Sequence, residues 1–296
     1  MNQDWTVRAV LDWTKEYFRR KGITAARLEA EILLAHALQT ERLTLYLQPE
    51  RRLTENERIV YKSLLRQRYD GTPLQYLIGL VDFYDCQIKV SPACLIPRPE
   101  TEELVELIVK DYQDKRHQAL RILDLGTGTG AIAIALACTF CQSRVLAVDI
   151  STAALEVATR NAIANGVDTR VAFVQSDWYE RVNGEFDMIV SNPPYIAQEE
   201  LSHLQAEVQR EPQIALDGGK TGLDSIIQII DKSANFLAEA GSLYLEIGYT
   251  QGPAVHQLLN KANIYQHIAI VRDLSGKERF VRAARVRSSA PMVQQT

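Results

Sequence analysis

The chain has 296 residues, 46% hydrophobic and 24% charged. That is ordinary globular material rather than disordered chain, and enough of it for two domains. No apolar run approaches the roughly 18 residues of a membrane span, and the opening MNQDWTVRAV has no basic segment ahead of an apolar one, so neither a span nor a secretory leader is expected. The net charge of −4 is uneven, with 13 Lys/Arg against 10 Asp/Glu in residues 1–75 and 20 against 27 thereafter; neither part has the basic excess of a protein that grips a duplex through its phosphates.

Residues 4 to about 70 read as helical. Trp5, Val7, Val10, Leu11, Trp13 and Phe18 lie near helical spacing, Glu29 to Leu38 repeats the pattern, and Glu57 to Arg68 forms a third run. Thr54 followed by Glu57 is a capping box opening that last helix, and Gly22 and Pro49 mark breaks. A small all-α N-terminal bundle is thus predicted over residues 1–75, with nothing catalytic in it; His36, among apolar residues, reads as a core or flank residue. From Tyr76 the stretch YLIGLVDFYDCQIKV suits a short β-hairpin, which makes 76–99 a linker. In LIPRPETEELVELI, Pro97 and Pro99 fix an extended entry and Glu100 or Thr101 begins a helix.

Strands and helices then alternate across a domain of residues 100–286. Strands fit at 120–125, 144–149, 171–175, 186–191 and 242–247, and helices at 129–138, 152–165, 222–239 and 251–262. Alternation of this kind predicts an α/β fold, a parallel sheet with helices on both faces. HIAIVRDLSGKERFVRAARV reads as a closing antiparallel pair turning at Ser275-Gly276, and residues 287–296 as a frayed tail.

The first of these strands runs into DLGTGTGAIAIALA, so Gly126-Thr127-Gly128-Thr129-Gly130 lies between strand and helix. Glycines there free backbone N–H groups to face a ligand and let it come close. The G-x-G-x-G spacing is neither the dinucleotide fingerprint nor a Walker A loop. Asp149, ending the second strand in AVDIS, is placed to accept hydrogen bonds from a ribose diol or to cap the next helix, as Ser151 also could. Asp177 and Trp178, after the third strand, could border an adenine, the carboxylate on its exocyclic amine and the indole on its face, or be a solvated acid and a core residue. Loop and acid together point to a nucleoside ligand. The four cysteines, Cys86, Cys94, Cys138 and Cys141, are expected reduced in a cytoplasmic chain. Cys138 and Cys141 form a C-x-x-C with no second pair or histidine cluster to complete a zinc set, so no metal is expected.

The fourth strand ends in DMIVSNPPYIA. Two adjacent prolines stop any ladder, since neither offers an N–H, and they hold Asn192 and Tyr195 at the strand's lip.

DLGTGTG, VDIS and SNPPYI together resemble the class I S-adenosylmethionine-dependent methyltransferases, whose fold is a Rossmann-like seven-stranded sheet. Asn192-Pro193-Pro194-Tyr195 narrows the likeness to enzymes that methylate planar nitrogens, of adenine in DNA or of glutamine in proteins. LIPRPETEELV (95–105), PLQYLIG (73–79), EPQIALDGGKTGLD (211–224) and DLSGKERF (273–280) resemble the release-factor glutamine methyltransferase family, PrmC/HemK. One departure is visible in FYDCQIKV, where Asp85 stands at a turn position expected to hold glycine.

The resemblance implies a substrate-binding N-terminal domain and a methyl donor, S-adenosylmethionine, held by Gly126 to Gly130, Asp149, Asp177, Trp178 and Asn192. It implies transfer to N5 of the glutamine in the Gly-Gly-Gln motif of class 1 peptide chain release factors. With no sustained heptad or obvious pairing strand a monomer is expected, and the charge balance leads to no expectation of direct nucleic-acid contact. A ribosomal-protein glutamine methyltransferase, a DNA adenine methyltransferase and a catalytically silent release-factor-binding module are the alternatives. An amide nitrogen is a poor nucleophile because its lone pair is delocalised. Asn192 Oδ1 and, as the family implies, the Pro193 carbonyl would accept its two N–H groups, with Pro193 and Pro194 holding that carbonyl in place and the Tyr195 ring lying against the planar amide. No general base is evident. Arg98 and Glu100 are expected to touch donor or substrate, or to pair with each other.

Overall fold

The computed structural model describes residues 5–286, so the tail expected at 287–296 lies outside the described residues. The chain divides into two compact units, one running to Leu80 and including Ala206–Arg210, the other comprising Val81–Gln205 and Glu211 onward.

The first unit contains α1 (Val7–Arg20), α2 (Ala26–Ala37), α3 (Arg42–Leu47), α4 (Glu55–Tyr69) and α5 (Leu74–Ile78). Thr6 caps α1, its Oγ1 accepting from Ala9 N–H, and the Thr54–Glu57 capping box opens α4. Phe18, Leu33 and Leu34 are fully buried at the centre. The buried Arg68 guanidinium is held by Glu29 (Nε–Oε2 2.5 Å) and Glu207 (Nη2–Oε1 2.5 Å), as a charge removed from water must be. Tyr76 to Ile78, expected to enter the hairpin, instead close α5, which stops where Gly79 turns left-handed at φ 77°.

The hairpin is β1 (Leu80–Phe83) and β2 (Cys86–Lys89). Its left-handed residue is Tyr84, φ 52°, and not Asp85, so a side chain at Asp85 meets no steric bar. α6 (Pro99–Asp111) begins earlier than expected: Pro99 takes the first helical position, where its missing N–H costs nothing, and Glu100 and Glu102 occupy the first turn.

Then follow β3 (Arg121–Leu125), α7 (Ala131–Thr139), β4 (Arg144–Asp149), α8 (Thr152–Ala164), β5 (Val171–Gln175), β6 (Phe186–Ser191), α9 (Asp224–Ser233), β7 (Leu237–Glu246), α10 (Gly252–Ala262), β8 (Tyr265–Arg272) and β9 (Glu278–Arg285). They form a seven-stranded sheet in the order β5-β4-β3-β6-β7-β9-β8, with β3 to β7 parallel and β9 antiparallel to its neighbours. One face is covered by a core that includes Leu104, Ile108, Phe140 and Ala162, the other by Ile226, Ile229, Val255 and Leu259. α7 is buried all round, which its sequence AIAIALACT permits.

The helix expected over 222–239 ends at Ser233, and Leu237 already pairs with Phe186 in the sheet. Phe236 stacks on Tyr179 with ring centroids 4.6 Å apart, so packing overrides the helical texture of FLAEA. No helix among the described residues is long and apolar enough to cross a membrane.

Candidate functional site

Strand order reverses at β3, with β4 and β5 on one side and β6 and β7 on the other. In open α/β sheets the crevice for a ligand lies at such a point, outside the carboxyl ends of the strands. The register places the expected residues there. Val148, Leu125, Ser191 and Leu245 lie opposite one another across β4, β3, β6 and β7. Their successors, Asp149, Gly126, Asn192 and Glu246, therefore leave the same edge together.

An open cleft lies along that edge. Gly126, Gly128, Asp149, Asp177, Trp178, Asn192 and Pro194 line it. Gly126 and Gly128 have φ of 70° and 55°, open only to residues that tolerate the left-handed region. Gly128 N–H donates to Asp149 Oδ2 (2.8 Å) and Ser151 N–H to Oδ1 (2.9 Å). Both bonds leave lone pairs on the carboxylate for a ligand. Burial raises the Asp149 pKa against these backbone bonds. Ser151 does cap α8, its Oγ accepting from Ala154 N–H. Trp178 is itself left-handed, φ 46°, uncommon for a bulky residue. A Cβ on Gly126 would meet its ring at 3.6 Å, so the indole walls the loop.

The rest of the glycine loop stands behind the cleft. Thr127 and Thr129 are buried. Thr127 Oγ1 donates to Asp124 Oδ2 (2.6 Å), a fully buried carboxyl pushed up to about 7 by burial. Asn161 Nδ2 donates to the Thr129 carbonyl (2.9 Å). Gly130 is a packing glycine, since a Cβ there would lie 3.1 Å from the Ala158 methyl and 3.3 Å from its Cα.

Pro193 is buried, and Tyr195 faces a group that sequence reasoning missed. Its hydroxyl donates to Glu246 Oε1 (3.3 Å), Thr101 Oγ1 donates to Glu246 Oε2 (2.7 Å), and Asn192 Nδ2 donates to Thr101 Oγ1 (3.0 Å). Glu246 is buried, and burial, outweighing these bonds and Arg279, pushes its carboxyl up to about 7. The Tyr195 hydroxyl is raised by the same burial and by Glu246. The available signal was a lone acid closing the apolar run SLYLEI.

Arg98 does not pair with Glu100. Its Nη2 meets Glu211 Oε1 at 2.5 Å, while Glu211 Oε2 accepts from Ile96 N–H (2.9 Å). The following segment is laid along the exit of the proline motif: Ile196 N–H donates to the Leu216 carbonyl (3.1 Å) and Gly218 N–H to that of Ile196 (2.8 Å). The approach is so close that a Cβ on Gly222 would lie within 2.4 Å of the Tyr195 carbonyl oxygen. Ala93, Cys94 and Leu95, Pro212, Ile214 and Ala215 thereby join the cleft wall; the quoted segments 95–105 and 211–224 contain four of them, but sequence reasoning named none as a ligand-lining residue. The C-x-x-C does not pair internally: Cys138 Sγ faces Cys86 Sγ at 3.7 Å.

Comparison with known proteins adds a second line. A family model described as the PrmC N-terminal domain matches residues 9–79, and one described as the methyltransferase small domain matches residues 101–221. The release factor glutamine methyltransferase of Rhodopirellula baltica is 37% identical over 282 residues, covering 94% of this chain and 95% of that one. The chain belongs to the release factor glutamine methyltransferase family. A second member, from Xylella fastidiosa, is 42% identical over 256 residues, covering 86% and 91%. Among solved structures, a T. thermophilus 16S rRNA N2 methyltransferase in complex with AdoMet and guanosine matches with a TM-score of 0.51 at 20% identity, over 70% of this chain and 50% of that one. At that identity the likeness speaks for the fold. Two of the four segments on which the sequence resemblance rests, 95–105 and 211–224, are tied together here by Glu211.

Proposed function

We propose that the cleft at the carboxyl edge of the sheet binds S-adenosylmethionine and that this enzyme methylates N5 of the glutamine in the Gly-Gly-Gln motif of class 1 release factors. The observation that carries the reading is Asn192, set by β6 on the wall of the cleft that Gly126, Gly128 and Asp149 also line. The residues suit the donor: a glycine cradle with left-handed backbone, a buried carboxylate with lone pairs to spare, and an indole wall. Asp149 takes the ribose diol, Asp177 and Trp178 border the adenine, and Thr127, Thr129 and Gly130 shape the loop from behind.

Bound there, the donor supplies an electrophilic sulfonium methyl. The chain's own contribution is positioning. Asn192 Oδ1 and the Pro193 carbonyl accept the two amide N–H groups, and Pro194 and Tyr195 hold that stretch of backbone. This fixes the nitrogen in line with the methyl and favours pyramidal geometry, a gain of several kcal/mol over free encounter. The amide proton leaves to water after transfer, when the nitrogen is strongly acidic. Glu246 is no rival base facing the substrate, since it is 1% exposed and both its oxygens are engaged by hydroxyls.

The net charge of the chain beyond residue 75, 20 basic against 27 acidic groups, favours a protein acceptor over a duplex. We place the reaction in the cytoplasm and read the enzyme as a monomer. The test is incubation with methyl-labelled donor and either a class 1 release factor or DNA. Label is expected on the glutamine of Gly-Gly-Gln, and Asn192→Ala should lower turnover by about 10²–10³-fold even at saturating donor, with donor affinity measured separately. Label on adenine, or on neither, would overturn the reading.

A further inference from the structure

We infer that Glu246 is a positioning residue that fixes the polarity of the Asn192 amide through the Thr101 hydroxyl, so that an acceptor and not a donor faces the substrate. The inference rests on the reading of Asn192 given above and concerns how that residue is made to work.

An asparagine amide has an acceptor end and a donor end of nearly the same shape. The two ends are opposite in effect here. A substrate amide nitrogen presents two N–H donors, so the Asn192 oxygen attracts it and the Asn192 nitrogen repels it. Something on the protein side must therefore choose the rotamer.

Counting protons shows what chooses. An ionised carboxylate only accepts, and a threonine hydroxyl has one proton to give. Thr101 spends that proton on Glu246 Oε2 at 2.7 Å, and Tyr195 spends its own on Oε1 at 3.3 Å. Thr101 Oγ1 is left with lone pairs alone toward Asn192, 3.0 Å away. Only the amide N–H₂ can satisfy it, so Oδ1 is turned the other way. α6 brings Thr101, β7 brings Glu246 and the loop after β6 brings Asn192 and Tyr195. Thr101, Ser191 and Glu246 are buried, leaving the chain of bonds little water to compete with it.

Protonation of Glu246 would undo the choice. A carboxylic acid carries a donor of its own; once it donates to Thr101, the threonine is free to donate to Asn192, and the amide can reverse. The groups facing Glu246 are Thr101 and Glu100 from α6, Arg279 from β9 and Tyr195 from the proline motif. Arg279 and the two hydroxyls favour the ionised form, while burial and Glu100 oppose it. Glu246 loses its charge as pH falls through its folded pKa of about 7, so turnover should carry an acid limb in that region.

The experiment is the pH dependence of kcat with a class 1 release factor as acceptor, alongside donor affinity. Wild type should lose kcat as pH drops below neutrality, at unchanged donor affinity. Glu246→Gln should have a reduced kcat that is flat over the same range. Thr101→Val, which keeps shape and removes the relay, should fall by at least about 10-fold, and Thr101→Ser should behave as wild type. An acid limb that persists in Glu246→Gln, or Thr101→Val turning over like wild type, overturns the inference. Should Glu246→Gln fail to fold, the Thr101 pair decides alone. Asn192→Ala separates the two levels. If it keeps turnover, the reading of Asn192 falls and the inference with it; if it is dead while Thr101→Val is normal, only the inference falls.

Discussion

Gly126, Gly128 and Gly130 look alike in DLGTGTG, yet they stand in different surroundings. The first two border the cleft and the third separates α7 from α8. Gly130 has φ 81°, and its missing Cβ is replaced on all sides by Ala158 and Ile134. Gly130→Ala therefore combines a left-handed alanine with a backbone contact that cannot give way. It should destabilise the protein by about 1–3 kcal/mol, seen as a lower urea midpoint. At Gly128 nothing stands within 4 Å of a Cβ, so alanine there meets only the backbone cost and whatever ligand it displaces.

At the level of elements, the segment from Glu211 to Gly222 has little regular structure, yet it supports the site. Glu211 accepts from Ile96 N–H and holds Arg98, and the chain beyond it borders Ile196. Glu211→Ala strands a buried N–H and frees a guanidinium, and should cost about 2 kcal/mol; Glu211→Gln, which keeps one acceptor for Ile96, should cost less. Thermal denaturation of both variants checks the order, and donor binding should weaken with the alanine because Pro212, Ile214 and Ala215 share the cleft wall. The central strands were legible because parallel strands covered on both faces are continuous apolar runs, and the glycine loop, Asp149 and Asn192 because each immediately follows such a run. Glu246 and Thr101 were not, since their relation arises only from register and from α6 packing 145 residues away in sequence. The early start of β7 was hidden for a similar reason: Leu237 is a strand residue because Phe186 is beside it.

For the whole molecule, stability should depend on pH through Asp124. Its folded pKa, about 7, lies above the ordinary carboxylate value. The folded state therefore binds more protons than the unfolded one between about pH 4 and 7, and its contribution to stability is lost as pH rises through that window. Asp124→Asn removes the contribution. The stability of the variant relative to wild type should rise across the window and level off above it, as urea unfolding at a series of pH values would show. Asp149, also raised by burial, adds a slope of the same sign. Glu31, Glu57 and Asp273, each held below the ordinary carboxylate value by partners, act in the opposite sense in both proteins and cancel in the comparison.

The small helical unit is discontinuous: Ala206–Arg210 belongs to it although some 125 residues intervene after Leu80. A scissor cut at Leu80 would carry away Arg68 and Glu29 while leaving Glu207, the other carboxylate on that buried guanidinium, on the remaining piece. The chain must return to the helical unit before the latter is complete, so on the ribosome its last charge partner emerges only after the hairpin and four strands of the larger unit's sheet have been made. A protein transplant of the N-terminal helices alone would be a transplant with one stitch missing.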